Sequence, residues 1–203
     1  MSATRCLLWY GRLALVVLTL PSRAGAQERQ IRPFIGVTFE GATTFVDTEQ
    51  AVAKPHAVIG VNAVWLREIV GVEVDLARLP GFFQADDPGH LVLSSAVTTL
   101  TGNFVVAAPA RKTDYGLRPY FVGGAGLMRV RIDHSLDVLP VSKTSPAIDV
   151  GGGVLGFITN RIGVCWDVRR FTSLSRTTEE RGVSIGGERL SFWRASMALA
   201  IRY

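Results

Sequence analysis

Cysteine is scarce in this chain of 203 residues, with only Cys6 and Cys165. That excludes a disulfide scaffold. Charge is scarce too: Asp, Glu, Lys and Arg make up 19% of the residues against 48% hydrophobic ones. A chain so apolar and so weakly charged is not intrinsically disordered. Its glycines have no period of three and no heptads recur, so collagen and coiled coil fail as well. Nor is there an apolar run near the ~20 residues that a membrane-spanning helix needs. The longest obvious one, Leu13–Leu20 (LALVVLTL), has eight.

That run belongs to a segment outside the fold. Arg5 and Arg12 supply a positive start, Leu13–Leu20 the apolar stretch, and Ala24-Gly25-Ala26 a small-x-small site before Gln27. Residues 1–26 therefore read as a secretory signal cleaved after Ala26, leaving 27–203 as one domain. No cysteine follows the apolar run, so a lipoprotein anchor is not expected. Arg5, Arg12 and Arg23 leave with the signal and no acidic residue does. The 22 basic residues thus fall to 19 against 17 acidic ones, and the formal charge from +5 to +2. A concentrated basic face for nucleic acid loses its support, and no nucleic-acid partner is expected. Cys6 leaves as well, so Cys165 has no partner within the chain, which suits an exported protein that does not depend on a disulfide.

What is present is alternation. In Leu190–Tyr203 (LSFWRASMALAIRY), Trp193, Ala195, Met197, Leu199, Ile201 and Tyr203 share one face. Arg194, Ser196, Ala198, Ala200 and Arg202 share the other. Period two predicts a strand. Seven further segments read the same way, at 31–41, 56–66, 70–82, 92–106, 117–130, 147–158 and 162–171. In the third, Glu73 and Asp75 lie with Gly71 and Ala77, opposite Val70, Val72, Val74 and Leu76. In the fifth, Leu117, Pro119, Phe121 and Leu127 oppose Arg118, Tyr120, Gly124 and Gly126. In the seventh, Asp167 and Arg169 oppose Val164, Trp166 and Val168. The connections 42–55, 83–91, 131–146 and 172–189 are long and polar. Those at 67–69 and 159–161 are tight, and the one at 107–116 is longer than a tight turn. Long loops at one end and short turns at the other predict an all-β, eight-stranded antiparallel up-and-down barrel.

Alternation leaves open which face is oily. A soluble lipocalin-like ligand-binding barrel puts apolar residues inside, a membrane barrel outside. Two features favour the membrane. The opposite face mixes glycine with a few charges, as at Gly151 and Gly153 or Asp167 and Arg169, which suits a narrow lumen. Trp193 and Tyr203 stand at the two ends of an apolar band, as interfacial aromatics do.

On these residues the chain resembles the small bacterial outer-membrane β-barrels of the OmpA/OmpX type. The segments that carry the likeness are GVEVDLARLPGFF (71–83), Pro119-Tyr120 with GGAG (123–126), GGGVLGF (151–157), GVCWDVRRF (163–171) and the final Ile201-Arg202-Tyr203. The resemblance implies an outer-membrane location with membrane lipid as surroundings. It also implies that Tyr203 is part of the signal read by the barrel-assembly machinery. Cys165 departs from it, where such proteins often carry an inward basic residue.

Chemistry-bearing candidates are few. Gly151, Gly153 and Gly156 match G-x-G-x-x-G, but that motif needs a helix opening on it. Here the glycines lie within a strand that leads into Thr159-Asn160-Arg161, where they let a narrow barrel close. His56, His90 and His134 fall in or beside loops without metal-ligand spacing, and neither metal nor cofactor is expected. His134 and Ser135 are adjacent, whereas barrel enzymes that deacylate lipid A set His and Ser one residue apart. Neighbours on a strand face opposite ways, so a nucleophile and its base would not meet, and no enzyme is expected. The remaining constellation is Glu73, Asp75, Asp167, Arg169 and Arg194, with Arg118 beside it, all on the inward face. It reads as a lumenal network in which Asp167 or Glu73 pairs with Arg169 or Arg194. The expected role is structural or interactional, through loops whose mixed charge (Asp47, Glu49, Lys54, Arg176, Glu179, Glu180, Arg181) contacts lipopolysaccharide, a partner or a host surface. The alternative within the same fold is a small pore.

Overall fold

The computed structural model describes residues 28–43, 55–82, 92–109, 116–134, 141–174 and 190–203. The signal segment and its cleavage site lie outside these residues, as do His90, Ser135 and the loop charges named above. Eight strands follow one another: β1 (Glu28–Thr43), β2 (His56–Leu66), β3 (Val70–Pro80), β4 (Val92–Ala107), β5 (Leu117–His134), β6 (Val141–Phe157), β7 (Ile162–Ser173) and β8 (Leu190–Arg202). Each pairs antiparallel with the next, and β8 returns to β1, closing the barrel. All eight segments read from the alternation are strands, so the fold class expected from sequence is the one observed.

The boundaries differ in instructive places. β1 begins at Glu28 rather than near Ile31, because Gln30 and Arg32 continue its inward face. The segment 131–146 is not a long loop: β5 runs on to His134 and β6 starts at Val141. Lys143, Thr144 and Ser145 made that stretch look like a connection. They stand instead on a hairpin that continues past the apolar part of the wall, where charge meets water. β3 stops at Pro80, since Gly81 adopts a positive φ of 70° and turns the chain. The other end is as tight as expected at 159–161. There the Thr159 hydroxyl accepts from the N–H groups of Arg161 (3.3 Å) and Ile162 (3.0 Å), closing a side-chain-capped turn.

The polarity is inside out. Val72, Val74, Leu76, Leu100, Val150, Trp166, Val168, Met197 and Leu199 are exposed on the outer wall, and Phe104 and Phe121 are each 75% exposed there. Glu73, Asp75, Asp167, Arg169 and Arg194 are buried inside. A lipocalin-like barrel has the reverse arrangement, so that alternative falls. An outer wall this apolar is stable only against lipid, where it replaces water with acyl chains over the whole circumference. Among the described residues no helix is long and apolar enough to cross a membrane; here strands of 11 to 18 residues do so. Placing a charge at the middle of this wall therefore carries a depth-dependent penalty. Val74→Arg is expected to lower the folding free energy in lipid vesicles by about 2–4 kcal/mol, measured by urea titration; an unchanged midpoint would contradict a lipid-facing wall.

Candidate functional site: a charge network across the lumen

The inward side chains sort into layers because each strand contributes one inward residue per two positions. Nearest the end with the long connections lies an apolar layer around Leu79, Phe82, Phe171, Phe192 and Leu190. The rings of Phe171 and Phe192 stack at 5.4 Å, and Phe82 approaches Phe192 at 5.4 Å. Toward the end with the short turns, Val64, Leu66, Val105 and Leu155 form a second one. The charged residues sit between them.

At their centre is Arg169 of β7. In an eight-stranded barrel β7 stands opposite β3, so this guanidinium reaches across the lumen to Glu73. Its Nη1 and Nη2 donate to the two Glu73 carboxylate oxygens, the Nη2 bond measuring 3.2 Å. Nη2 also donates to Asp167 Oδ2 at 2.8 Å. Arg194 of β8 makes the second crossing: its Nη1 and Nη2 donate to Asp75 Oδ1 and Oδ2 at 3.0 and 2.7 Å. The planar guanidinium fork matches a carboxylate in both cases, which is why arginine rather than lysine serves here. The Arg194 guanidinium also lies between the rings of Phe34 (4.6 Å) and Phe171 (4.7 Å), joining the ionic layer to the apolar one.

Neutral groups complete the network. Asn103 Nδ2 donates to Glu73 Oε1 at 3.2 Å, while the Tyr120 hydroxyl and Ser196 Oγ donate to the Asp167 carboxylate at 3.0 and 2.6 Å. The Asn62 amide, with its nitrogen toward Asp75, donates to Asp75 Oδ2 (2.9 Å) and accepts from Arg169 Nη2 (3.2 Å), linking the two crossings. Glycine makes the room. A Cβ at Gly153 would sit 2.7 Å from Asp167 Cβ and 2.8 Å from the Tyr120 hydroxyl. One at Gly124 would sit 2.1 Å from Asn103 Oδ1. Of the glycines of G-x-G-x-x-G, Gly151 and Gly153 are thus spacers for the lumenal side chains inside β6, while Gly156 faces outward against Leu117.

All five network residues named from sequence meet in this layer, and the partners are now specific: Arg194 pairs with Asp75, not with Asp167 or Glu73. Arg118 is inward as expected but stands at the short-turn mouth, where it donates to Glu28 Oε2 (3.1 Å) and to the Ala108 carbonyl (2.7 Å). Arg202 converges on the same Glu28. Asp149 was missed. It is buried on β6 with Arg169 3.9 Å away, and neither of its oxygens accepts a hydrogen bond from the protein. Its alternation with Ala147 and Gly151 carried the signal. Arg32, also missed, donates to Gln30 Oε1 at 2.7 Å and lies 5.5 Å from the Tyr120 ring. Cys165 is buried against this pair, its Sγ 3.0 Å from the Tyr120 hydroxyl and 3.8 Å from Arg32 Nη1. His56 opens β2 with its ring 5.1 Å from Phe82. Among the described residues no group of three His, Cys, Asp or Glu could hold a metal ion.

Removing Arg169 leaves Glu73 and Asp167 buried without their cation, and breaking a buried pair this way costs about 3–5 kcal/mol. Arg169→Met is expected to show that loss in vesicle unfolding, and Arg169→Met with Glu73→Met to recover part of it. Strictly additive losses would show that the two side chains do not interact. Neither a protein-family model nor a curated protein sequence matches the chain. Solved structures do. Neisserial surface protein A superposes with a TM-score of 0.59 at 12% identity, over 87% of this chain and 97% of that one. The N-terminal β-barrel domain of Pseudomonas aeruginosa OprF gives 0.52 at 12% identity, over 87% and 99%. At this identity the likeness is one of fold, and it agrees with the inside-out polarity and the closed strand order. In fold the chain is a small eight-stranded antiparallel β-barrel of the outer-membrane type.

Proposed function

We propose that the protein is an integral barrel of a bacterial outer membrane with a structural or surface-interaction role. In this reading it is exported by residues 1–26, cleaved after Ala26, and plugged by its own side chains. The observation that carries the reading is the pair of ionic crossings, Arg169 to Glu73 and Arg194 to Asp75, laid between two apolar layers. A water-filled conduit would have to pass all three layers. Eight strands enclose little more than the side chains that point inward, and here those side chains are large and mutually bonded. The same observation speaks against an enzyme, because Glu73, Asp75 and Asp167 are committed to guanidinium groups rather than to a nucleophile and its base. Interaction with the outside then falls to the connections after β1, β3, β5 and β7, which the barrel gathers at one end, with surface glycolipid, a protein partner or a host surface as the classes of contact.

Planar-bilayer recording tests the plug. The wild-type barrel is expected to give no discrete conductance steps, while Arg169→Ala with Arg194→Ala opens the middle layer and raises leakage. Regular steps from the wild type would favour the small-pore reading instead. Tyr203, the last residue and 65% exposed at the short-turn rim, is assigned to recognition by the barrel-assembly machinery. Tyr203→Ala is expected to lower the amount of heat-modifiable barrel in cells severalfold, yet to refold normally into vesicles from urea. Equal defects in both settings would mean that Tyr203 acts on stability rather than on recognition.

A further inference from the structure

The outer wall carries its own pattern of charge. On the three strands β3, β5 and β7, which all run toward the long connections, the outward apolar series ends in an arginine. Val70–Leu76 is followed by Arg78, Leu117–Leu127 by Arg129, and Ile162–Val168 by Arg170. Arg131 repeats the outward position one step beyond Arg129. Arg170 lies over the Trp193 ring at 5.7 Å. Arg78, Arg129 and Arg131 are exposed, and none of them pairs with a carboxylate among the described residues.

Register makes a site of these three. Arg78 pairs with Thr98 of β4, and Thr98 pairs on its other side with Arg129 of β5. Two strand spacings therefore separate the arginine backbones, about 10 Å. Ala96, the next outward residue of β4, lies between Pro80 and Arg131 in the same way. Two small outward residues are thus flanked by three guanidinium groups. One row further into the wall, Leu76, Leu100 and Leu127 stand side by side, and in the row after that Gly102 lies between Val74 and Ala125. A Cβ at Gly102 would meet nothing within 4 Å, so the wall is hollow there, with exposed Phe104 and Phe121 below.

A cationic cradle continuous with an apolar, hollowed strip fits one kind of occupant: an anionic head joined to acyl chains. We propose that the β3–β4–β5 face binds a membrane lipid whose headgroup bears exposed phosphates, seated between Arg78, Arg129 and Arg131, with its chains along Leu100 and over Gly102. Guanidinium groups bind phosphate by charge-assisted, bidentate hydrogen bonds. A zwitterionic headgroup offers less, since its own cation competes for the phosphate. The proposal rests on the reading that the barrel sits in a membrane with its long connections outward, and it adds a lipid preference to that reading.

Native mass spectrometry of the folded, detergent-solubilised protein, titrated with diphosphoryl lipid A and with the same lipid dephosphorylated, tests it. Wild type is expected to bind the phosphorylated form about tenfold more tightly, on the order of 1.4 kcal/mol. The variant R78Q/R129Q/R131Q is expected to lose that preference. R78K/R129K/R131K is expected to keep part of it, and Arg161→Gln at the opposite rim to keep all of it. Heat-modifiable migration confirms that each variant is folded. Equal binding of the two lipids by wild type, or an undiminished preference in the glutamine variant, overturns the proposal while leaving the membrane reading intact. A wild-type chain that folds as a soluble monomer without detergent overturns both.

Discussion

The structure depends on keeping charge away from lipid while leaving an apolar wall to face it. Both requirements act on the same strands, residue by residue, because neighbours point to opposite sides. Glu73 and Asp75 can be placed on β3 beside Val72 and Val74 only if they find cations inside the barrel. Arg169 and Arg194 supply them across the lumen with bidentate geometry at both crossings. In an enclosure walled by backbone and lipid, an ion pair left incomplete has no water to fall back on. The pairing therefore sets the order of everything around it: the glycines that make room, the amides and hydroxyls that saturate the carboxylates, and the apolar layers on either side.

The network is not neutral in its parts. Glu73, Asp75, Asp149 and Asp167 face Arg32, Arg169 and Arg194 inside the same layer, so one carboxylate exceeds the available guanidinium groups. Asp149 is the one without hydrogen bonds from the protein. The excess sits beside Arg169, 3.9 Å away, which makes that arginine the common counter-charge of most of the layer. Its loss reaches further than its two closest bonds suggest. Side chains bonded to one another in this way hold the middle layer of the lumen in one arrangement.

Much of this was legible in the residues. The alternation of Leu190–Tyr203 and of Val70–Ala77 established strands, their number and the two faces. The inward set Glu73, Asp75, Asp167, Arg169 and Arg194 followed from the same period. Asp149 and Arg32 obey that period too, but their strands have ragged edges, with Pro33 beside one and a polar run before the other. The segment 131–146 misled for a related reason: the rule that charge marks a loop holds for a wall in lipid, and β5 and β6 extend beyond it. The arginines at 78, 129, 131 and 170 drew no notice in sequence, because a single outward charge at the end of an apolar series looks like ordinary solvent contact.

By itself the sequence determined the period, the facing of each residue and the count of strands, since these are local consequences of backbone geometry. Which charges meet was decided only by closure. Glu73 and Arg169 lie 96 positions apart, and nothing near either residue names the other; they meet because pairing β8 with β1 carries β3 and β7 to opposite sides of one narrow lumen. Strand register set Arg78 and Arg129 on either side of Thr98, through two successive pairings that span three strands. Local periodicity tells a side chain which way to point, and only the closed sheet tells it what stands there.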